Sequence, residues 1–138
     1  MKKKWTGFAE KETVIFDTDI LIWVQRGNEK AARLIDAEEI RMISVYTYME
    51  LLQGAGNKTQ HLYVKQFLHD FDFVTLPFTE NIGHRAAIYI EEYSLSSGMR
   101  AGDAVIAATA VENNCVLSSS NGKHFKSIRD LQLKLFKP

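Results

Sequence analysis

Val14-Ile15-Phe16-Asp17-Thr18-Asp19-Ile20-Leu21-Ile22 is the stretch on which the fold turns. Thr13 to Phe16 is short, apolar and rich in β-branched residues, which reads as a buried strand. At Asp17 the pattern changes. Ile20, Leu21 and Val24 fit one face of a helix that Gly27-Asn28 terminates. A buried strand feeding a helix through two acids is the opening of a strand-helix unit. An acid that ends a buried strand beside a second acid is a poor choice for packing alone, so Asp17 asks for another reason.

Working outward, the same alternation continues. Ala31, Ala32, Leu34 and Ile35 suggest a second helix, and Met42-Ile43-Ser44-Val45 returns to strand character. A helix around Tyr48-Met49-Glu50-Leu51-Leu52 is stopped by Gly54 and Gly56, and another carries Leu62, Val64, Phe67 and Leu68. Phe73-Val74-Thr75-Leu76 before Pro77 is a third strand. From Glu80 to about Tyr93 a helical period holds, and Ser94 to Gly98 breaks it. Asp103 then opens a helix through Val111 that is apolar nearly all round and belongs in the interior. Val116-Leu117 and Leu133-Lys134-Leu135-Phe136 supply the fourth and fifth strands. Strands separated by helices imply right-handed crossovers and an α/β fold: a mostly parallel, roughly five-stranded sheet covered by helices on both faces.

Composition sets the outer limits. At 138 residues the chain fits one domain with a core that needs no disulfide or structural metal. Basic and acidic residues balance at 17 each, so net charge does not advertise a nucleic-acid partner. Lys123, Lys126, Arg129, Lys134 and Lys137 near the end face only Asp130, a basic run that reads first as a solvated face and second as a phosphate contact. The lone Cys115, in an apolar run, reads as a buried thiol. Met1-Lys2-Lys3-Lys4-Trp5 begins like a signal peptide, but Glu10-Lys11-Glu12 is charged where an apolar segment is required. Neither an export signal nor a membrane span is expected, and the cytoplasm is the expected compartment.

In a parallel α/β sheet, ligands bind beyond the carboxyl ends of the strands. Asp17 and Asp19 follow the first strand, Glu50 lies about a helical turn beyond the second, and Asp103 opens the helix before the fourth. Carboxylates brought together repel unless a cation sits between them. Oxygen ligands without a His or Cys cluster point to a hard ion, Mg²⁺ or Mn²⁺, and His61, His69, His84 and His124 show no metal-motif spacing. Each acid also has an ordinary structural reading. Asp19 can cap the helix at Ile20, Thr47 and Glu50 fit a capping box, and Asp103 can cap its own helix. Convergence of all of them is what favours a site.

These segments resemble a known family. Val14 to Ile22, Ile43-Ser44-Val45-Tyr46-Thr47-Tyr48-Met49-Glu50-Leu51-Leu52-Gln53-Gly54, and Gly102-Asp103-Ala104-Val105-Ile106-Ala107-Ala108-Thr109-Ala110 are similar to the three acidic motifs of the PIN-domain family, closest to its VapC-type toxin branch. The resemblance runs from about Thr13 to the C-terminus and implies a three-layer α/β/α sandwich over residues 13–138, with residues 1–12 as an N-terminal extension. It also implies an endoribonuclease that hydrolyses RNA phosphodiesters with Mg²⁺ or Mn²⁺, a homodimer, and a small antitoxin whose C-terminal segment covers the acidic cleft. By the same resemblance Asp17, Glu50 and Asp103 are the metal ligands, while Thr18, Thr47 and Ser119 orient those acids or the water. Asp19 supports the cluster. The family's fourth position, often Asp and in many toxins Asn, falls on Asn121, whose neutral amide makes a second metal an open matter; Asn121-Gly122 is also a good turn dipeptide. Arg100 and Lys123 are candidates to hold the substrate backbone. Trp5 and Phe8, outside the match, are expected to pack on the body or on a partner.

Two other classes compete. Phe16-Asp17-Thr18-Asp19 also resembles the nucleophile motif of haloacid-dehalogenase phosphohydrolases, with Asp17 as nucleophile, but no convincing set of that family's further lysine and acidic motifs accompanies it. A receiver-like or non-catalytic PIN module would only bind; for a receiver, neither Lys123 nor Lys126 is well placed as the required lysine.

Overall fold

A computed structural model describes residues 12–138. Strand β1 (Val14–Phe16) leads into helices α1 (Thr18–Gln25) and α2 (Glu29–Asp36). Strand β2 (Arg41–Ser44) is followed by α3 (Val45–Gln53) and α4 (Lys58–Asp70), then by β3 (Phe73–Leu76). Helices α5 (Glu80–Ser97) and α6 (Ala101–Glu112) precede β4 (Val116–Ser119), the short α7 (Gly122–Phe125) and β5 (Leu133–Leu135). The sheet order is β3-β2-β1-β4-β5, and every neighbouring pair is parallel. From β1 the chain travels to β2 and β3, then returns past β1 to add β4 and β5. Because such crossovers are right-handed, reversing the direction of travel moves the connecting helices to the opposite face.

The side chains record that division. Val14, Phe16, Ile43 and Val116 pack with Ile20, Leu21, Ala31, Ile35, Leu51, Val64 and Leu68, all from α1 to α4. Ile15, Met42 and Leu117, one residue out of phase, pack with Ile82, Ala86 and Tyr89 of α5 and with the buried alanines of α6. Successive strand residues point to opposite faces, so a strand covered on both must be apolar throughout. This is the three-layer α/β/α sandwich that the sequence led us to expect. Helix α6 is buried from Ala104 through Ala110, as its all-round apolar character requires.

Several local boundaries differ from the sequence reading. Helix α5 does not break at Ser94: Ser97 Oγ donates to the Tyr93 carbonyl at 2.7 Å, and Gly98, at φ 75°, closes the helix in the left-handed conformation that glycine adopts without strain. Val45 belongs to α3 and not to β2, because Ser44 Oγ accepts from the Tyr46 N–H at 3.0 Å and caps α3 early. Thr47 and Glu50 therefore lie inside that helix and form no capping box. Asp17, not Asp19, caps α1, and α6 starts at Ala101 with Asp103 in its first turn. The expected roles of Trp5 and Phe8 lie outside the described residues.

Candidate active site

The reversal of strand order places the carboxyl ends of β1 and β4 side by side, and a cavity of about 300 Å³ opens there. Asp17, Asp19, Glu50 and Asp103 line it, with Thr18, Tyr46, Arg100 and Asn121. The sequence-predicted acids thus reach one cavity from three separate segments. Among the described residues on its walls, Arg100 is the only basic one. Lys123 is exposed on α7 and does not line the cavity.

Asp17 sits at the end of β1 and is 5% exposed. Its backbone N–H donates to the Ser118 carbonyl at 2.9 Å, which extends the β1–β4 pairing one step into the site. Its Oδ1 accepts from the Thr18 N–H at 2.8 Å and its Oδ2 from Ser119 Oγ at 2.7 Å. Burial pushes this carboxyl up from 3.8 to about 7, with the charges of Asp19 and Asp103 adding to the rise and the two hydrogen bonds opposing it.

Beneath the acids runs a chain of hydroxyls. Thr18 Oγ1 donates to Glu50 Oε1 at 2.6 Å and lies 2.9 Å from Thr47 Oγ1. A hydroxyl has one proton, and Thr18 commits its own to Glu50. Thr47 must therefore donate to Thr18. On the other side the Asn121 N–H donates to Ser119 Oγ at 2.9 Å while Ser119 donates to Asp17. Thr18, Thr47 and Ser119, expected to orient the acids, are buried and bonded in that way.

Asp103 is held at Oδ2 by the Arg100 N–H at 3.1 Å and by His124 Nδ1 at 2.8 Å. The same ring nitrogen lies 2.8 Å from the Asn121 amide. If Nδ1 carries the proton, that proton goes to the Asp103 carboxylate and the amide must turn its oxygen inward. Metal-ligand spacing among the histidines does not pick out His124 in the sequence. The usable signal was different: His124 lies three residues after Asn121, on the same side of a helical turn. Ser120, also missed, holds Asp19 Oδ2 through both its N–H and its hydroxyl.

The donor chemistry fits a hard cation. Asp19 Oδ1 is buried without a hydrogen-bond partner among the described residues, an uncompensated acceptor. Glu50 Oε2 and Asp103 Oδ1 likewise carry no hydrogen bond there. Among the described residues no three acidic, histidine or cysteine side chains stand at mutual metal-ligand spacing.

A parallel sheet of this order, helices on both faces, and an acidic cavity at the point of reversal define the class. The PIN-domain profile matches residues 14–131, and the chain belongs to the PIN-domain family. Among solved structures, it is similar to a chain of a toxin-antitoxin complex from Klebsiella pneumoniae, with a TM-score of 0.74, 28% identity, and coverage of 86% of this chain and 95% of that one. It is also similar to a chain of VapBC-1 from nontypeable Haemophilus influenzae, with a TM-score of 0.73, 26% identity, and coverage of 89% and 97%. FitAcB from Neisseria gonorrhoeae, at 23% identity with a TM-score of 0.70 over 88% and 96% of the two chains, shares the fold. No curated protein sequence matches significantly. Within the family the likeness is to the PIN toxins of VapBC modules. No described helix is long and apolar enough to cross a membrane.

Proposed function

We propose that this chain is a VapC-type toxin: a metal-dependent endoribonuclease that hydrolyses RNA phosphodiester bonds. The observation that carries this reading is the carboxylate-lined cleft at the sheet's reversal point, where Asp17 is buried and pushed up to about 7 and Asp19 Oδ1 has no partner among the described residues. Asp17, Glu50 and Asp103 would hold Mg²⁺ or Mn²⁺. A divalent cation held there lowers the pKa of water and neutralises charge developing on the phosphate. Thr47 and Thr18 orient Glu50, Ser119 orients Asp17, and the Arg100 backbone orients Asp103. The Arg100 guanidinium, exposed at the mouth, contacts the RNA phosphate. Single-stranded or looped RNA suits an open cleft better than duplex.

The structural neighbours are subunits of toxin-antitoxin complexes, which supports an antitoxin partner; that its C-terminal segment covers the cleft, that the toxin is a homodimer and that it works in the cytoplasm are parts of the proposal that rest on the family resemblance alone. The test is RNA cleavage by the purified protein with Mg²⁺ or Mn²⁺, in excess EDTA, and in Asp103→Asn. Cleavage should require the cation and vanish in the variant while the circular dichroism spectrum stays unchanged. Full activity in EDTA or in Asp103→Asn would sink the mechanism.

A further inference from the structure

Tyr46 lies in the first turn of α3, four residues before Glu50, so the two side chains share a helix face, and both line the acidic cavity. Its ring packs against the core layer of α5 and α6 and lies over the start of α6, where Gly102 leaves it room: a Cβ there would stand 2.7 Å from both Cζ and Oη. The ring is thus fixed between the helix that carries Glu50 and the one that carries Asp103. Its hydroxyl is not used by the fold. Oη makes no hydrogen bond among the described residues, and the one buried side-chain polar atom left unpartnered there is Asp19 Oδ1, so Tyr46 Oη is open to solvent. We infer that Tyr46 is a substrate-contacting residue, its phenol donating a hydrogen bond to a non-bridging oxygen of the scissile phosphate. The inference rests on the ribonuclease reading above and adds a group to it.

The cavity wall is rich in acceptors and poor in free donors. Thr18 gives its proton to Glu50, Asn121 turns its amide to His124, and Arg100 is exposed at the mouth. Tyr46 is the hydroxyl left over. The nearby carboxylates are supplied by other donors: Glu50 accepts from Thr18, and Asp103 from the Arg100 N–H and His124, while neither accepts from Tyr46. An RNA phosphate brings a negative charge into this set of acids, so it needs donors besides the cation that offsets them. A lysine on the same wall would pair with Glu50 or Asp103 and compete with that cation. A phenol is a neutral donor and does not. Its rigid placement between two of the proposed ligands means that little side-chain freedom is lost when the phosphate arrives.

The test compares full-length Tyr46→Phe with the wild type in two ways: cleavage of a short RNA in Mn²⁺, and Mn²⁺ affinity by calorimetry without RNA. No bond of the fold ends on Oη, so the variant should keep the wild-type urea midpoint and the wild-type Mn²⁺ affinity. Its kcat/KM should fall roughly ten- to hundredfold, the weight of one hydrogen bond to a charged group. A phosphorothioate at the scissile position replaces one non-bridging oxygen by sulfur, a weaker acceptor. The diastereomer whose sulfur faces Tyr46 should slow the wild type more than it slows the variant. Cleavage by the variant at the wild-type rate, or equal thio penalties in the two proteins with both diastereomers, overturns the assignment and leaves the ribonuclease reading in place. Weaker Mn²⁺ binding by the variant also overturns it, because Tyr46 then serves the carboxylates and not the RNA. A wild type that cleaves no RNA overturns the ribonuclease reading and this assignment together.

Discussion

Asp17→Asn should make the metal-free protein more stable while ending its ability to cleave RNA. The unfolded chain ionises this carboxyl near 3.8, whereas the folded chain holds it up to about 7, through burial first and the Asp19 charge second. A raised folded value means that the unfolded state loses its proton first. Stability is therefore penalised progressively as pH climbs from about 4, and the penalty is complete above about 7. At about 1.4 kcal/mol per pH unit, the gap between 3.8 and about 7 amounts to about 4 kcal/mol. The amide gives some of this back. Thr18 N–H and Ser119 Oγ both donate to Asp17, and asparagine offers one acceptor oxygen, so one bond worth about 1 kcal/mol is lost. The net gain is about 3 kcal/mol at pH 8 and less than about 1 kcal/mol at pH 5, where the penalty has only begun. Urea unfolding of both proteins in EDTA at the two pH values measures it. Adding Mg²⁺ at pH 8 should then stabilise the wild type and leave Asp17→Asn unmoved. Equal stability of the two proteins at pH 8, or a gain of the same size at pH 5, would refute the reasoning.

Other substitutions probe the scaffold around the cleft. A Cβ at Gly102 would lie 2.7 Å from Tyr46 Oη, so Gly102→Ala should displace Tyr46 from the cleft wall, cost about 1 to 3 kcal/mol in urea unfolding, and lower kcat/KM for RNA cleavage. Thr47→Val keeps the shape but removes the proton given to Thr18; it should cost about 1 to 2 kcal/mol and reduce kcat more than KM, because Glu50 loses its orienting chain. Arg85 joins Glu112 at 2.5 Å and Asp130 at 2.6 Å on the α5 side of the sheet, and Tyr89 also bonds Asp130. Arg85→Ala should lower stability by about 1 to 2 kcal/mol and leave RNA cleavage at the wild-type rate at temperatures where both proteins are folded.

The fold was legible because its three central strands are covered on both sides. Val14-Ile15-Phe16 cannot be apolar at every position on a half-exposed sheet, and the helix from Ala104 to Ala110 cannot be apolar all round on a surface. Strand β3 was legible for a different reason, its residues before Pro77, although it lies at the sheet edge with Val74 exposed. Helix starts were less legible, because capping depends on which of several adjacent polar side chains turns inward. Ser44 and Asp17 took those roles, where Thr47 and Asp19 had equally good local patterns. The acids of the cleft could be picked out from their places after strands. Their partners could not, since bonds such as Thr18 to Glu50 and Ser119 to Asp17 join segments far apart in the chain.

The position that departs from the family's usual acid also has a physical account. Asn121 lines a cavity in which burial first, and the charges of Asp19 and Asp103 after it, push the Asp17 carboxyl up to about 7. An aspartate there would add another negative charge and would compete with Asp103 for the His124 ring nitrogen, which lies 2.8 Å from each of the two side chains. The amide reaches the same ring without charge, and its backbone N–H supports Ser119, which in turn orients Asp17. Asn121 is thus tied to two of the acids through intermediates, one route by Ser119 and one by His124. Its neutrality limits the repulsion among the carboxylates of the cleft.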